Sequence, residues 1–205
     1  MSKRKASLRS AQPARIEDLA QRARAEQQRL VVRAACELLR EDGPNALNVR
    51  ELASKVSAST TIIYTLFGGR EGLLDALWRD GLDRLADAFE KVENRDSLIG
   101  LAGLARAYRS FAINNREFYI AVAATPRSSV PVRDTRPFQI LLQAVRGCMN
   151  RGLLPKAPAD AVADAFWGLV HGMVSLELGG HFSSGKVAEA RIIAAGSAML
   201  SGFRR

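Results

Sequence analysis

The feature that most constrains this chain is a pair of short amphipathic segments between residues 48 and 73, joined by a tight turn and followed at once by a third helical pattern. Asn48 lies directly before the first segment, and Glu51 follows three residues later. This is the spacing of a capping box, in which two side chains satisfy backbone N–H groups that lack partners at the start of a helix. The sequence therefore predicts that a helix begins near Val49.

The apolar residues of both segments recur at helical spacing, so each segment has an inner and an outer face. The residues expected to face inward are Leu52, Ala53, Val56, Ile63 and Phe67. Those expected to face outward are Arg50, Lys55, Thr60, Thr61, Tyr64 and Thr65, the two basic ones being free for a polyanion. The turn falls at Ser57 and Ala58, and the second helix spans Ser59 to Thr65. This pattern is typical of a helix-turn-helix.

Residues 29–77 read RLVVRAACELLREDGPNALNVRELASKV and then SASTTIIYTLFGGREGLLDAL. The most specific elements are Ala34-Ala35, Leu38-Leu39, Gly43, the VRELA pentad, Ser59, the Tyr64-x-x-Phe67 pair and Arg70-Glu71-x-Leu73. Together they resemble the N-terminal domain of the tetracycline-repressor family, over roughly residues 25–80. The chain departs from the family pattern at Ser57, where glycine is frequent, and at Leu66, where a His or Tyr able to touch phosphate is frequent.

The resemblance implies an all-α protein with a three-helix DNA-binding head and a larger helical body that binds an effector and forms a dimer. We therefore assign residues 25–70 to the head and residues 71–205 to the body. Residues 1–24 form a basic extension, flexible at its start. Members of such families are most often repressors, and the two heads of a dimer dock in successive major grooves, ~34–36 Å apart, on a pseudo-palindromic operator.

The head is expected to contact both bases and phosphates of double-stranded DNA. The predicted contact residues are Arg50, Ser59, Thr60, Thr61, Tyr64, Thr65 and Arg70. Threonine hydroxyls can bond base edges, and their methyl groups can pack on a thymine methyl. The arginines, the tyrosine and the backbone N–H groups near Gly69 suit phosphates. Ser59 is expected mainly to cap the second helix.

The basic extension carries over half of the net charge of +9, since its 24 residues contain seven basic side chains against two acidic ones. Two interpretations stay open. The segment is either an arm that contacts phosphates or the minor groove, or a solvated tail that aids solubility.

Helical periodicity continues through the rest of the chain, without strand-like alternation or repeats, so the pattern itself indicates an all-α fold. The predicted helices run over residues 71–92, 98–111, 116–124 and 138–151, and then from about residue 159 and from about residue 186. Residues 125–137 contain three prolines and are predicted to form a loop that acts as a lid.

The order of Trp167, His171 and Gly172 resembles the C-terminal domain type of this family that is named for Trp, His and Gly. The resemblance implies that the last two helices form a four-helix bundle in a symmetric dimer, and the small apolar residues of 159–202 are compatible with it. Trp167 and His171 lie one helical turn apart and share a face. They are either part of an effector pocket, where His171 makes a hydrogen bond, or a core tryptophan beside a structural histidine.

Aromatic residues on several helical segments of the body, with one histidine among them, fit a small apolar effector. The predicted lining residues are Phe89, Tyr108, Phe111, Phe118, Phe138, Trp167 and His171. The alternative is that these aromatics fill an ordinary core. Effector binding is expected to tilt the long helix of residues 71–92, which spoils the match of the two heads to DNA.

Enzymatic chemistry has little support, because the chain has two histidines, no Gly-rich phosphate loop and no nucleophile motif. Glu177 and His181 are four residues apart, but two ligands without a third do not make a metal site. We therefore predict no enzyme, no metal and no cofactor. Cys36 and Cys148 are expected to be packed hydrophobes.

No apolar run is long enough to cross a membrane, and no secretory signal follows the basic N-terminus. We therefore expect a cytoplasmic, soluble protein without a membrane partner. The rival class is a helical small-molecule-binding protein or enzyme whose head no longer reads DNA.

Overall fold

The computed structural model describes residues 3–43, 47–123 and 131–203, and the regular structure in these ranges is helical. In chain order the helices are α1 (Lys3–Asp42), α2 (Val49–Lys55), α3 (Thr60–Phe67), α4 (Arg70–Glu90), α5 (Leu98–Asn114), α6 (Arg116–Phe118), α7 (Arg136–Asn150), α8 (Ala159–Leu178) and α9 (Lys186–Gly202). A π-helical turn (Tyr119–Ala123) extends α6, and a 3-10 turn (Val132–Asp134) precedes α7. The predicted all-α class is confirmed. None of the described helices combines the length and apolar character that a bilayer crossing requires.

The chain divides into two compact units, Met1–Leu77 and Trp78–Arg205. The division falls inside α4, after Leu77 and not after residue 70, where we predicted the head to end. The reason lies in the first turns of α4, where Leu73, Leu74 and Leu77 are buried but are not part of the hydrophobic cluster of the second unit. Residues 70–77 therefore complete the core of the first unit.

Helix α1 begins at Lys3 and continues without a break through the segment predicted as an extension. Residues 15–42 are rich in Ala, Leu, Arg, Gln and Glu, which are strong helix formers. Apolar periodicity alone places the start of the helix near residue 25, because residues 15–24 are exposed. The helix ends at Asp42. The next residue, Gly43, closes the last turn with a positive φ of 81° and a hydrogen bond from its N–H to the Leu39 carbonyl.

The start of α2 and the turn that follows α2 lie where the sequence predicted them. Asn48 Oδ1 accepts hydrogen bonds from the backbone N–H groups of Arg50 and Glu51, at 3.1 and 2.9 Å, so the cap of α2 is confirmed. Ser57 takes a positive φ of 52° in the turn, a conformation that glycine adopts with less strain. It is the position where the family pattern often has glycine.

The structure corrects two predicted side-chain environments in the first unit, those of Phe67 and Lys55. Phe67, predicted to face inward, is only half-buried, whereas Leu66 is buried with Ile63, since residues three apart share a helix face. Helix α3 runs over Thr60–Phe67 and not over Ser59 to Thr65, as predicted. Lys55, predicted to be free for a polyanion, has a partner, since its ammonium group pairs with Glu41.

The second unit is built around α5, which packs against α7, α8 and α9. Ser97 Oγ caps α5 by accepting a hydrogen bond from the Gly100 N–H at 3.0 Å. Gly100 is required here because a Cβ at this position would lie 2.1 Å from the Asn94 carbonyl oxygen. Among the fully buried side chains of the unit are Leu101, Leu104, Phe138, Leu141, Val145 and Val162.

The predicted loop of residues 125–137 is shorter than expected at its C-terminal side. Residues 125–130 lie outside the described ranges. Val132–Asp134 forms a 3-10 turn, and α7 begins at Arg136, two residues earlier than predicted, with Pro137 in its first turn. Proline fits there because the first N–H groups of a helix have no intrahelical partner.

Candidate functional site

The predicted DNA-contacting residues are all solvent-exposed side chains of the first unit. They are Arg50, Ser59, Thr60, Thr61, Tyr64, Thr65 and Arg70. Four of them lie on the outer face of α3, opposite Ile63 and Leu66, which are 0% and 6% exposed. The eight residues of α3 therefore present a polar face to solvent over an apolar anchor.

Two of these side chains differ from expectation in their hydrogen bonds. Ser59 occupies the N-cap position of α3 with an extended backbone, but its hydroxyl makes no capping hydrogen bond, so the predicted capping role is wrong. Thr65 Oγ1 donates to the Thr61 carbonyl at 2.8 Å, which uses its hydrogen within the helix. Thr60 and Thr61 are thus the better candidates to donate a hydrogen bond outward.

The C-terminal end of α3 is held by side chains of α1, a contact that sequence reasoning missed. Arg24 Nη2 donates to the Thr65 carbonyl at 2.9 Å, and Gln28 Nε2 donates to the Leu66 carbonyl at 2.8 Å. These carbonyls belong to the last turn, where helical partners run out, and the Arg24 charge complements the negative end of the helix dipole. Arg24 thus supports α3. The only sequence signal is the four-residue spacing of the two donors.

Residues 3–24, predicted to be either a DNA-contacting arm or a solvated tail, are helical, and the width of a helix limits which DNA groove the segment can enter. An α-helix with side chains is about 10–12 Å wide, whereas the minor groove of B-DNA is about 6 Å wide. As a helix, this segment does not enter the minor groove. A contact to the phosphate backbone remains compatible with its shape.

In the second unit, Tyr108, Phe138, Trp167 and His171 come together as one aromatic cluster. The ring centroids of Tyr108 and Trp167 are 5.4 Å apart, and those of Phe138 and Trp167 are 5.8 Å apart. Tyr108 and His171 are 6.2 Å apart, edge to face. Phe89 joins the cluster, since it lines the same small cavity as Tyr108 and Trp167.

The other two predicted lining residues pack elsewhere in the same unit. Phe111 and Phe118 face each other with ring centroids 6.3 Å apart, and the Arg84 guanidinium lies 5.7 and 4.9 Å from the two rings. A Cβ at Gly81 would lie 2.3 Å from Phe118, so α4 approaches this pair closely. This arrangement is a cation–π packing cluster.

The polar groups of the aromatic cluster form a hydrogen-bond network around His171. Its Nδ1 lies 2.7 Å from Tyr108 Oη and 2.9 Å from Tyr119 Oη. Tyr119 Oη also lies 3.1 Å from Ser175 Oγ, which donates to the His171 carbonyl at 2.8 Å. Ser175 follows His171 by one helical turn, so spacing alone suffices to suggest it. Tyr119 was missed because it lies in the π-helical turn, where helical spacing does not apply.

These network side chains are held in their neutral forms. Burial raises the pKa of Tyr108 well above its usual value and raises the pKa of Tyr119. Burial lowers the pKa of His171. Burial disfavours the charged form in each case. At pH 7 the network therefore consists of neutral hydrogen-bonding groups.

The cavity inside the cluster is about 10 Å³, room for one water molecule at most. A second cavity of about 110 Å³ lies between α5, α8 and α9 and shares Ala105 and Phe166 with the first. Effector pockets are typically about 300–1,000 Å³. A ligand therefore enters the aromatic cluster only if side chains move.

The charged groups next to the cluster are already paired. Arg109 donates to both carboxylate oxygens of Glu177, at 2.8 and 2.6 Å, and to the Gly185 carbonyl at 3.0 Å. The Glu177 carboxylate thus binds Arg109, which leaves it unsuited to the metal pairing with His181 that we considered. Within the described ranges, no group of three or more His, Cys, Asp or Glu side chains is placed to hold a metal ion.

Two family descriptions match this chain. Residues 31–77 match the model described as bacterial regulatory proteins, tetR family, and residues 101–198 match the tetracyclin repressor-like C-terminal domain. A curated relative, the uncharacterized HTH-type transcriptional regulator YobS of Bacillus subtilis (strain 168), is 30% identical over 95 residues, which cover 46% of this chain. The match spans half the length of that relative.

Solved structures show the same fold. A protein of unknown function from Rhodococcus sp. RHA1 has a TM-score of 0.70 and 25% identity, covering 87% of this chain and 95% of that one. A TetR variant from Acinetobacter baumannii AYE, in complex with minocycline, has a TM-score of 0.64 and 22% identity, covering 85% of this chain and 94% of that one.

The hydrogen bond from Gln28 to α3 can be tested by Gln28→Met, which keeps the side-chain length and the charge but removes the donor. We expect amide hydrogen exchange in α3 to speed up about fivefold, equivalent to about 1 kcal/mol, because the Leu66 carbonyl loses its partner. Gln27→Met on the adjacent, exposed position is the matched control and should leave α3 unchanged. Equal exchange in both variants would contradict the role of Gln28.

The lowered pKa of His171 predicts a pH dependence of stability. The unfolded chain takes up a proton near pH 6.5, and the folded chain does so only at lower pH, so stability is full above about 6.5 and falls as the pH decreases through that value. Urea unfolding from pH 7.5 to 5.0, followed by tryptophan fluorescence, reports this, since Trp78 and Trp167 both belong to the second unit. His171→Asn should flatten the dependence, whereas His181→Gln should retain it. A flat wild-type profile would refute the assignment.

Proposed function

Since this chain belongs to the tetracycline-repressor family, we propose that it is a homodimeric DNA-binding transcriptional regulator, a repressor that a small apolar effector releases from a pseudo-palindromic operator. The observation that carries the proposal is α3, whose apolar side is buried and whose hydroxyl-rich side faces solvent. We expect the protein to act in the cytoplasm, where its DNA is.

In this proposal the outer face of α3 enters the major groove. Thr60 and Thr61 lie in its first turn, the part of a recognition helix that reaches base edges, and both are exposed. Thr65 offers its methyl group, since its hydroxyl already donates to Thr61. Threonine can pack on a thymine methyl or bond a base edge, so this surface reads a short sequence in each half-site.

Phosphate contacts are assigned to Arg50, Tyr64 and Arg70, with Ser59 in support. Arg50 lies in the first turn of α2, and Arg70 is the first residue of α4. Tyr64 is 55% exposed. Its ring approaches Gly69, where an added Cβ would lie 3.5 Å from Cε1. These residues flank the outer face of α3, so their contacts would set its register on the duplex without reading sequence.

The dimer is proposed to form through α8 and α9. Their exposed or half-buried residues include many small ones, namely Ala161, Ala165, Gly168, Gly172, Ala190, Ala194 and Ala198. Small side chains let helices from two protomers approach closely, and an isologous contact of this kind closes a twofold dimer.

The effector is proposed to bind at the aromatic cluster around Tyr108, Trp167 and His171. The structure of the Acinetobacter baumannii protein, which was solved in complex with minocycline, supports a small-molecule ligand for this chain. Helix α4 contributes residues to both units. An effector that binds one state of the second unit better than the other would shift the population of α4 states, and thereby the DNA affinity.

The alternative is a helical binding protein or enzyme whose head no longer reads DNA. The two classes can be distinguished by a mobility-shift titration that measures the DNA affinity of the wild type and of the variants Thr61→Ala and Arg70→Ala. The duplexes are a site selected from a random pool and an unrelated sequence of the same length. Thr61→Ala should lose about 1–3 kcal/mol on the selected site only. Arg70→Ala should weaken both duplexes and lower the salt slope by about one.

Arg146→Ala, an exposed arginine of the second unit, is the matched control and should leave both affinities unchanged. Full-length protein that binds neither duplex above background would support the alternative class. Equal losses for Thr61→Ala on both duplexes would make Thr61 a positioning residue and not a reader.

The dimer is tested by Gly168→Arg. A Cβ at Gly168 meets no atom within 4 Å, so the protomer tolerates the change, whereas two buried arginines would face each other in the proposed interface. Sedimentation should show monomers. Ile99→Arg, on the 82% exposed position of α5, is the control and should leave the dimer intact. A dimeric Gly168→Arg variant would place the interface elsewhere.

A further inference from the structure

The hydrogen bonds around His171 determine which ring nitrogen carries its proton. Ser175 Oγ lies 2.8 Å from the His171 backbone carbonyl, which can only accept, so the serine hydroxyl donates its one hydrogen there. Ser175 Oγ then accepts from the Tyr119 hydroxyl, 3.1 Å away. This uses the one hydrogen of Tyr119. Tyr119 Oη therefore offers only lone pairs to His171 Nδ1, at 2.9 Å, and that contact is a hydrogen bond only if Nδ1 is protonated.

The contacts of Tyr108 agree with this assignment. Tyr108 Oη lies 2.7 Å from His171 Nδ1 and 3.4 Å from Tyr119 Oη. With the proton on Nδ1, the N–H is shared between the two tyrosine oxygens, and Tyr108 donates its own hydrogen to Tyr119. With the proton on Nε2, Tyr108 can donate to Nδ1, but the lone pairs of Nδ1 and Tyr119 Oη then face each other at 2.9 Å. Only the Nδ1-protonated tautomer satisfies every contact of the network.

This tautomer leaves His171 Nε2 as a hydrogen-bond acceptor. None of the hydrogen bonds among the described residues involves Nε2, and the side chain is half-buried. The rings of Tyr108 and Tyr119 lie beside the imidazole, with centroids 6.2 and 5.8 Å away, and Trp167 contacts Tyr108. Nε2 is not among the buried side-chain atoms that lack a partner, so solvent or a ligand can reach it. An accessible acceptor beside an aromatic cluster matches the few-polar-groups arrangement of small-molecule sites.

We propose that His171 Nε2 accepts a hydrogen bond from the effector, and that the effector is an uncharged aromatic molecule carrying an O–H or N–H donor. The inference rests on the proposed function, because it assigns this site to the effector of that function. The cavity that Tyr108 and Trp167 line is about 10 Å³, too small for a ring. In this proposal the half-buried Trp167 side chain moves to make room for the effector ring beside His171. Aromatic neighbours then hold it edge to face.

The charge of the effector follows from its surroundings. An anionic head would meet the lone pair of Nε2, with no cation in the described part of the cluster to pair with it. A cationic head would need a carboxylate, but Glu177, the buried carboxylate of this region, already binds both nitrogens of the Arg109 fork. Burying an unpaired charge is far more costly than burying a hydrogen-bonded neutral group.

The tautomer can be measured directly by nitrogen-15 NMR of the imidazole rings in full-length protein. The chain has two histidines, so His181→Gln leaves the signals of His171 alone. At pH 7.5 we expect Nδ1 to show the shift of a protonated nitrogen and Nε2 that of an unprotonated one. The reverse pattern, with the proton on Nε2, would overturn the inference, because Nε2 would then be a donor.

The ligand class is tested by calorimetry with 4-ethylphenol, 4-ethylanisole and 4-ethylbenzoate, which share one ring and differ in donor and charge. We expect 4-ethylphenol to bind about fivefold to tenfold more tightly than the anisole, the loss of one hydrogen bond, and more tightly still than the benzoate. It should also move the Nε2 signal of His171. Equal affinity for the phenol and the anisole, or preference for the benzoate, would contradict the proposal.

The variant His171→Asn separates the hydrogen bond from general packing. The asparagine amide can replace the Nδ1–H donor toward the tyrosines but has no atom at the place of Nε2. We expect a folded protein in which the preference for 4-ethylphenol over 4-ethylanisole is lost, whereas His181→Gln keeps it. Retained preference in His171→Asn would overturn the inference.

The effect of 4-ethylphenol on DNA binding distinguishes this inference from the proposed function. If the phenol binds with the expected selectivity and shifts Nε2, the inference holds even where DNA affinity is unchanged, and the effector-release part of the proposed function fails. If the tautomer is reversed while the protein still binds DNA selectively, the inference fails and DNA recognition stands.

Discussion

The DNA recognition proposed for this protein depends on α3, a helix too short to be stable alone. Isolated helices below about 12–15 residues are marginal in water, and α3 has eight. It is held by the burial of Ile63 and Leu66, by the left-handed Gly68 that closes its last turn, and by hydrogen bonds from Arg24 and Gln28. Because these constraints act on one side and on the C-terminal end, the outer face stays exposed. The first unit is in effect a support for that face.

The second unit holds several polar side chains inside an apolar core, where each one needs a hydrogen-bond partner. Tyr108, Tyr119, His171 and Ser175 satisfy one another, and Arg109 with Glu177 forms a separate, closed pair. A satisfied network costs little, whereas a broken one leaves buried groups without partners. In the proposed tautomer, His171 Nε2 is an accessible acceptor that this network does not use, so a ligand can bond to it without breaking a hydrogen bond of the network.

Local patterns predicted the parts of this structure that depend on nearby residues. Asn48 caps α2, as the sequence predicted. Trp167 and His171, one helical turn apart in the sequence, lie in one aromatic cluster. The missed features depend on distant residues: Glu41 engages Lys55, Gln28 reaches the end of α3, and Tyr119 reaches His171. The division of the chain after Leu77 likewise depends on which core buries the start of α4. The seven predicted DNA contacts are exposed, as required, but their roles stay predictions.

Whether two copies of this chain bind one DNA site together can be measured by selection from a random pool of duplexes with the full-length protein. We predict enrichment of inverted repeats whose half-site centres lie one helical turn apart, about 10–10.5 base pairs. Enrichment of single, unrepeated half-sites would contradict DNA recognition by a dimer. No enrichment after repeated rounds, with protein that is folded and dimeric, would contradict DNA recognition itself.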